Sequence, residues 1–233
     1  MLLKRNSLLA IELVTFSHTL FVIPLIFSGY LIAYDEIIIK DIILILIAAV
    51  SARTIGMLLN RIIDAEIDLK NPRTSTRPIP SGRASKRFLF LFLILSSSIF
   101  FITCWFICDF VFFLSPIPII LFTLYPYTKR FTPFCHFFLG ATLFLGPIAG
   151  GVAANCNIDG FYLALPIGVF TFFGFQALIF YMLCKTMIMI LRIKYSLCPQ
   201  SMELKMLSSL PLFALLFLLL VYFTMQFYIK VIF

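Results

Sequence analysis

The sequence predicts an all-α fold, a polytopic membrane helix bundle of about seven transmembrane helices. Three observations carry that reading. The chain of 233 residues is 62% hydrophobic and only 12% charged, with 29 Phe, a composition outside the range of soluble domains. Its apolar residues gather into runs of roughly 20, the length that crosses a bilayer core. Charge is confined largely to the short segments between those runs.

The elements follow in order. The first run, about 8–33, is too long for a secretory signal and lacks a small-residue cleavage pattern, so it reads as a span. The second, 38–60, leads into a polar segment. The third and fourth, 88–107 and 110–126, are separated only by a tight turn near Asp109. The fifth, sixth and seventh cover 133–154, 159–183 and 207–229. No soluble domain, low-complexity linker or repeat interrupts them, so 1–233 reads as one domain. The Phe-rich run at 110–113 is expected to face lipid, with a tunnel for a hydrophobic chain as the alternative for some of its members.

Charge placement sets the expected orientation. With Lys4 and Arg5 in the cytoplasm, the same side collects Lys70, Arg73, Arg77, Arg83, Lys86, Arg87, Lys129, Arg130, Lys185, Arg192, Lys194 and Lys205. The opposite side keeps Lys40 and Lys230, and Arg53 and Arg61 fall within the second helix. This is the positive-inside bias. The net charge of +8 therefore reports orientation in an inner (cytoplasmic) membrane with a cytoplasmic N-terminus. No nucleic-acid motif is present, and no nucleic-acid partner is expected.

The polar end of the second helix is the informative part. Asn60, Asp64 and Asp68 recur at i, i+4 and i+8, which puts them on one helix face. Arg53 lies two turns earlier on nearly the same face. A basic loop follows. Carboxylates at a membrane edge beside cations suit Mg²⁺ held on a diphosphate, with the cations taking the remaining phosphate charge. The plainer reading is a solvated helix end. Arg53, a charge inside a span, needs a polar cavity or a partner, and Asp64 or a bound phosphate are the candidates. The six Cys show no CxxC pair and read as reduced thiols. His18 and His136 stand alone in apolar helices and read as packing residues.

Three stretches carry a family resemblance. ARTIGMLLNRIIDAEIDLKNPRTSTRPIPSGRAS, around Asn60, resembles the first Asp-rich motif of the UbiA family of intramembrane aromatic prenyltransferases, in its 4-hydroxybenzoate polyprenyltransferase branch. HTLFVIPLIFSGYLIA, from His18, resembles that branch's first helix. TLYPYTKRFTPFCHFFLGATLFLGPIAGGVA, from Thr123, resembles its fourth-to-fifth helix region. The likeness runs from about residue 8 to 170. It implies nine transmembrane helices around a cavity open to the cytoplasmic side, and two Asp-rich motifs holding Mg²⁺ on a polyprenyl diphosphate. The implied reaction joins the allylic carbon to an electron-rich ring. By resemblance Asn60, Asp64 and Asp68 are the metal-binding set, with Asp64 and Asp68 catalytic. Arg53, Arg73 and Arg77 are candidate diphosphate contacts. Tyr125 and Lys129 match a YxxxK element with Lys129 on the diphosphate.

The resemblance also exposes a departure. The second Asp-rich motif should follow the sixth helix, but TFFGFQALIFYMLCKTMIMILRIKYSLCPQSMELK, from Thr171, contains no Asp. One helix follows where the family has three, so the chain reads as C-terminally truncated. Codon junctions suggest a cause. Reading the third base of each codon with the first two of the next forces Asp at Met187–Ile188 and Met189–Ile190, and Gly at Met202–Glu203. Permitted codons elsewhere give FWVSGFDILYAMQDYDYD from about Phe172, with the missing acids restored. Residues from about 172 to 233 are thus expected to be out of frame.

The expected function is Mg²⁺-dependent transfer of a polyprenyl group from polyprenyl diphosphate to a small aromatic acceptor resembling 4-hydroxybenzoate, in quinone biosynthesis at the lipid bilayer. Three alternatives stand beside it: a menaquinone-route acceptor, an inactive frameshifted remnant, and a small membrane transporter. Mg²⁺-dependent binding of a prenyl diphosphate separates the transporter from the prenyltransferase.

Overall fold

The computed structural model describes residues 16–34, 38–132 and 135–195, with side chains described over 22–34, 38–132 and 136–177. All described elements are helical: α1 (Phe16–Ala33), α2 (Ile39–Ile63), α3 (Ala65–Lys70), α4 (Lys86–Ile107), α5 (Asp109–Leu114), α6 (Pro116–Phe131), α7 (Cys135–Asn155) and α8 (Ile158–Tyr195). Five described stretches are long and apolar enough to cross a membrane: Ile39–Ile63, Lys86–Ile107, Asp109–Phe131, His136–Asn155 and Ile158–Ala177. They match the second to sixth expected spans. The described part of the first, Val22–Ala33, is a shorter apolar helix. The expected span at 207–229 lies outside the described residues.

Two boundaries differ from the sequence reading, each for a local reason. The fourth span is two helices, because Pro116 starts α6 at its first turn, where a missing N–H costs nothing. Ser115 bridges the break by donating its hydroxyl to the Phe112 carbonyl at 2.6 Å. The helix expected to run through Asp64 ends at Ile63 and restarts at Ala65. The i→i−4 ladder nevertheless continues, with Asp64 N–H on the Asn60 carbonyl at 2.9 Å and Asp68 N–H on the Asp64 carbonyl at 2.8 Å. The i, i+4, i+8 progression therefore survives the break.

The chain forms two compact units, Met1–Gly168 and Val169–Phe233. In the first, α1 packs mainly on α7 and α2 mainly on α4. Glycines permit the first contact. A Cβ on Gly29 would lie 1.9 Å from the Pro147 carbonyl oxygen, and one on Gly150 would lie 1.9 Å from that of Ile26. Without a hydrophobic driving force between helices in lipid, such close backbone approach supplies the packing attraction. Large apolar side chains point outward, among them Phe113 at 76% exposure and Leu91 at 67%, as a lipid-facing surface requires. The Phe-rich run is divided. Phe113 is exposed, Phe112 stacks edge-on against Trp105 at 5.2 Å, and Phe110 packs near Ile148 and Val152. The lipid-facing expectation thus holds for Phe113 and not for Phe110 or Phe112, because a helix buries one side of any run. In the second unit, Phe172 and Phe173 of α8 meet edge to face at 5.2 Å.

The basic loop between α3 and α4 is built, and it fixes the site. Thr74 donates its hydroxyl to the Asp68 carbonyl at 2.9 Å. Pro78 is fully buried, and its carbonyl accepts from Ala84 N–H at 2.8 Å. Gly82 has φ +72, the left-handed region where glycine is unstrained. Ser85 caps α4 by accepting from Phe88 N–H at 3.1 Å, a cap worth about 1 kcal/mol. Leu58, Ala84 and Leu89 close the loop onto the helices as a small core.

Candidate active site

The structure gathers most of the singled-out residues at one end of the first unit. Asp64 and Asp68 are buried, at 9% and 8% exposure, yet both are ion-paired. An unpaired carboxylate there would bear an uncompensated desolvation cost. Lys129, from the last turn of α6, places its ammonium 3.0 Å from Asn60 Oδ1 and 3.3 Å from Asp64 Oδ2. Arg77, from the loop, donates to Asp68 Oδ2 at 2.6 Å. The YxxxK spacing has a physical meaning here. It puts Tyr125 one turn before Lys129, whose ammonium sits over the Tyr125 ring at 4.3 Å. That cation–π contact aims the long lysine side chain at the acids.

Sequence reasoning missed Arg130. Its guanidinium donates to the Ile63 carbonyl at 2.7 Å and lies 3.8 Å from Asp64 Oδ1. It thereby ties the end of α2 to α6. The available signal was its place beside Lys129 at the charged end of an apolar helix. Arg73, by contrast, is exposed. Its backbone N–H bonds to Asn71 Oδ1 at 3.0 Å, and its guanidinium pairs with no carboxylate among the described residues.

Arg53 stands apart from this cluster. Asp64 is not its partner, because Lys129 and Arg130 hold that carboxylate. Instead Arg53 lines an apolar cavity of about 250 Å³, with Ile45, Ala49, Phe100, Phe122 and Val152 among the walls. Its Nε is buried without a hydrogen-bond partner among the described residues. Tyr125 is its electrostatic neighbour, so Tyr125 lies between the cavity and the acid cluster. Seven residues of helix separate Arg53 from Asn60, a rise of about 10 Å.

The donor set fits a divalent cation. Oxygens of Asn60 and Asp64, a helical turn apart, already converge on one positive charge, the Lys129 ammonium. Asp68 continues the row. Mg²⁺ takes six oxygens and is commonly held by one or two carboxylates, with water and substrate phosphate completing the shell. Among the described residues no group of three or more His, Cys, Asp or Glu gathers to hold a metal. A cation here would therefore depend on Asn60 and on ligand oxygens as well as the two carboxylates.

Comparisons with known proteins identify the family. The sequence profile of the UbiA prenyltransferase family matches residues 21–231. A 4-hydroxybenzoate octaprenyltransferase from Blochmanniella pennsylvanica is 35% identical over 127 residues, which cover 51% of this chain and 41% of that protein. One from Legionella pneumophila is 30% identical over 127 residues, covering 52% and 43%. The chain thus spans about two fifths of the length of these curated relatives. An apo structure of a UbiA homolog from Aeropyrum pernix K1 superposes with a TM-score of 0.62 at 29% identity, covering 69% of this chain and 62% of that one. A digeranylgeranylglyceryl phosphate synthase structure shares the fold, with a TM-score of 0.65 at 21% identity over 74% of this chain and 60% of that one. The family match extends over most of the chain, and on it this all-helical membrane protein belongs to the UbiA prenyltransferase family.

Proposed function

We propose that this chain, or the protein it represents, transfers a polyprenyl group from a polyprenyl diphosphate to a small aromatic acceptor of the 4-hydroxybenzoate type, in a Mg²⁺-dependent reaction within the inner membrane. The observation that carries the reading is the row Asn60, Asp64 and Asp68, ringed by Lys129, Arg130 and Arg77, close to the Arg53-bearing apolar cavity. An acid row beside cations binds a metal–diphosphate, and a dry apolar cavity suits a prenyl chain and an aromatic ring.

The division of labour follows from position. Asn60, Asp64 and Asp68 would hold Mg²⁺, which would supply positive charge to the diphosphate leaving group. The allylic C–O bond breaks and its electron pair leaves with the diphosphate. Lys129, Arg77 and Arg73 take the remaining phosphate charge. The allylic carbon bonds to the ring beside the acceptor's hydroxyl, and the ring then loses a proton. The apolar walls keep water from the allylic cation. Arg53 also served as a candidate diphosphate contact on sequence grounds. Its place inside the cavity, about two turns from Asn60, favours the carboxylate of the acceptor instead. A half-buried arginine with a buried, unpartnered Nε and no carboxylate partner among the described residues matches an anionic ligand in the fork geometry that Arg offers. Clustering of Lys and Arg at the acid end supports a cytoplasmic location for that end.

The test uses purified chain in lipid nanodiscs with labelled polyprenyl diphosphate and 4-hydroxybenzoate. The expected result is a prenylated acid in Mg²⁺ and none in EDTA. Metal-independent diphosphate binding would overturn the site assignment.

A second reading concerns the segment after about residue 172, as out-of-frame translation of a half that carried the second Asp-rich motif. The forced Asp and Gly codon junctions support it. The family match to residue 231 favours the frame as given. On the out-of-frame reading the chain as written binds Mg²⁺–diphosphate weakly and turns over poorly. Nucleotide sequence across codons 165 to 210, from DNA and transcript, decides between them. One missing or extra base restores an ordinary family member, and an intact frame overturns this reading.

A further inference from the structure

The end of the first unit opposite the acid cluster holds two thiols that the reading above does not use. Cys108 is the extended hinge between α4 and α5, with φ −173 and ψ 164. Cys156 follows α7 directly, and its φ of +54 makes it the one left-handed non-glycine among the described residues. That position at a helix end ordinarily goes to Gly or Asn. Both cysteines are free, Cys108 half-buried and Cys156 exposed. The Cys156 thiol donates to the Ala153 carbonyl at 3.8 Å, and Cys108 and Asp41 of α2 are its electrostatic neighbours. A third thiol, Cys104, lies a turn deeper and is buried in the core.

We propose that Cys108 and Cys156 are a disulfide-forming pair, a covalent modification site on the non-cytoplasmic face that pins α5 to the end of α7. The proposal rests on the orientation given under the proposed function. On that face the compartment is oxidising, and disulfides form and persist there. The step is thiol–disulfide exchange with a dithiol–disulfide oxidase. The two S–H bonds break and one S–S bond forms. The two electrons and two protons pass to the oxidase's disulfide, which leaves as a dithiol. Burial, then Cys108 and Asp41, push the Cys156 thiol up to about 12. Cys156 is therefore protonated at rest.

The link matters because of where it falls. Ile107 and Val111 flank Cys108, and Val152 and Ala153 precede Cys156; all four line the apolar cavity. Ile107, Val111, Ala153 and Ala154 also pack in one cluster around Tyr30 and Ile45. A Cys108–Cys156 bond fixes this wall of the cavity, at the end away from the acids.

The test takes the full chain in membranes of cells with an oxidising periplasm, quenched in acid and digested. The expected result is a Cys108–Cys156 linked peptide that disappears on reduction. Cys108→Ser and Cys156→Ser should each abolish it. A membrane-impermeant maleimide added to intact cells should label Cys156 only after reductant, with at least a fivefold rise. Reduction should also lower the melting temperature of the native chain by several degrees and leave that of the double serine variant unchanged. Free thiols labelled from outside without reductant, even after treatment with oxidised glutathione, would overturn the pair. Labelling only from the cytoplasmic side overturns it through the orientation and leaves the acid cluster's chemistry untouched. Strong diphosphate binding with no linked peptide separates failure of this inference from failure of the proposed function.

Discussion

Arg53 and Arg77 flank the same row of acids, yet they live in opposite surroundings. Arg77 stands at the loop surface and is closed onto Asp68 at 2.6 Å. Arg53 stands in the wall of an apolar cavity with a buried, unpartnered Nε. The first holds the fold's own charge in balance. The second has Tyr125 as its electrostatic neighbour and no carboxylate partner among the described residues, an arrangement that suits a ligand's charge. On the proposed function the two places differ in what would complete them. At the acid row, a metal would have to displace existing ion pairs. In the cavity, an anion would need to displace none.

The largest effect expected from that comparison lies in the acid row. Asp64→Ala removes the carboxylate shared by Lys129 and Arg130. Mg²⁺-dependent prenyl transfer should fall by about 10² to 10³, the size seen when one charge-stabilising group is lost from a reaction centre. Mg²⁺-dependent diphosphate binding, by calorimetry in nanodiscs, should fall with it. Retained Mg²⁺ dependence in both Asp64→Ala and Asp68→Ala would mean that the row is only a solvated helix end.

Next in size is Arg53→Met. Breaking one partner of a satisfied buried pair is costly, but removing a buried charge with no partner is not. Arg53→Met should leave the melting temperature equal or higher, while the KM for the acidic acceptor rises about 10- to 100-fold, matching the roughly 1.5–3 kcal/mol of a charged hydrogen bond. Arg77→Met should show the reverse, a stability loss of about 1–3 kcal/mol from the stranded Asp68 and a smaller change for the acceptor. If Arg53→Met instead raises only the diphosphate KM, Arg53 belongs with the loop cations.

Lys129 sharpens the contrast between protein cation and metal. Its ammonium occupies the point where Asn60 and Asp64 converge. Lys129→Met should therefore destabilise the metal-free chain by about 1 kcal/mol, yet raise its affinity for Mg²⁺ alone severalfold, because the ion no longer competes with an ammonium. Diphosphate affinity should fall in the same variant. Equal loss of Mg²⁺ and diphosphate binding would show that Lys129 supports the site without competing for it.

Much of the site was legible because helical spacing and charge survive translation into geometry. Asn60, Asp64 and Asp68 share a face, and Lys129 meets them from α6, since both placements depend on local periodicity and on which end of a span is charged. The pairings were less legible. Asp64 goes to Lys129 and Arg130 rather than Arg53, because the partner is chosen by how α2 and α6 cross, and no sequence period encodes that crossing. The break at Asp64 and the split at Pro116 are similar, although Pro116 itself was a visible signal. The contact between Cys108 and Cys156 joins separate hairpins and has no local signature at all.

The smallest effect belongs to Arg73, which tests whether exposure alone disqualifies a residue from the site. Its guanidinium is exposed and its structural contribution is the backbone N–H on Asn71 Oδ1, which alanine keeps. Arg73→Ala should therefore change stability by less than about 0.5 kcal/mol. A diphosphate brings charge that a free loop cation can reach, so its affinity should drop a fewfold at low salt. An exposed charge is screened beyond roughly 8 Å at physiological ionic strength, whereas the half-buried pairs of Lys129 and Arg77 are screened less. The Arg73→Ala difference should thus vanish in high salt while the Lys129→Met difference persists. Titrating prenyl diphosphate into both variants at low and high salt reads the two directly. A salt-independent loss in Arg73→Ala would place its guanidinium on the diphosphate in a desolvated contact, and equality with the parent at both salts would leave Arg73 to the loop surface.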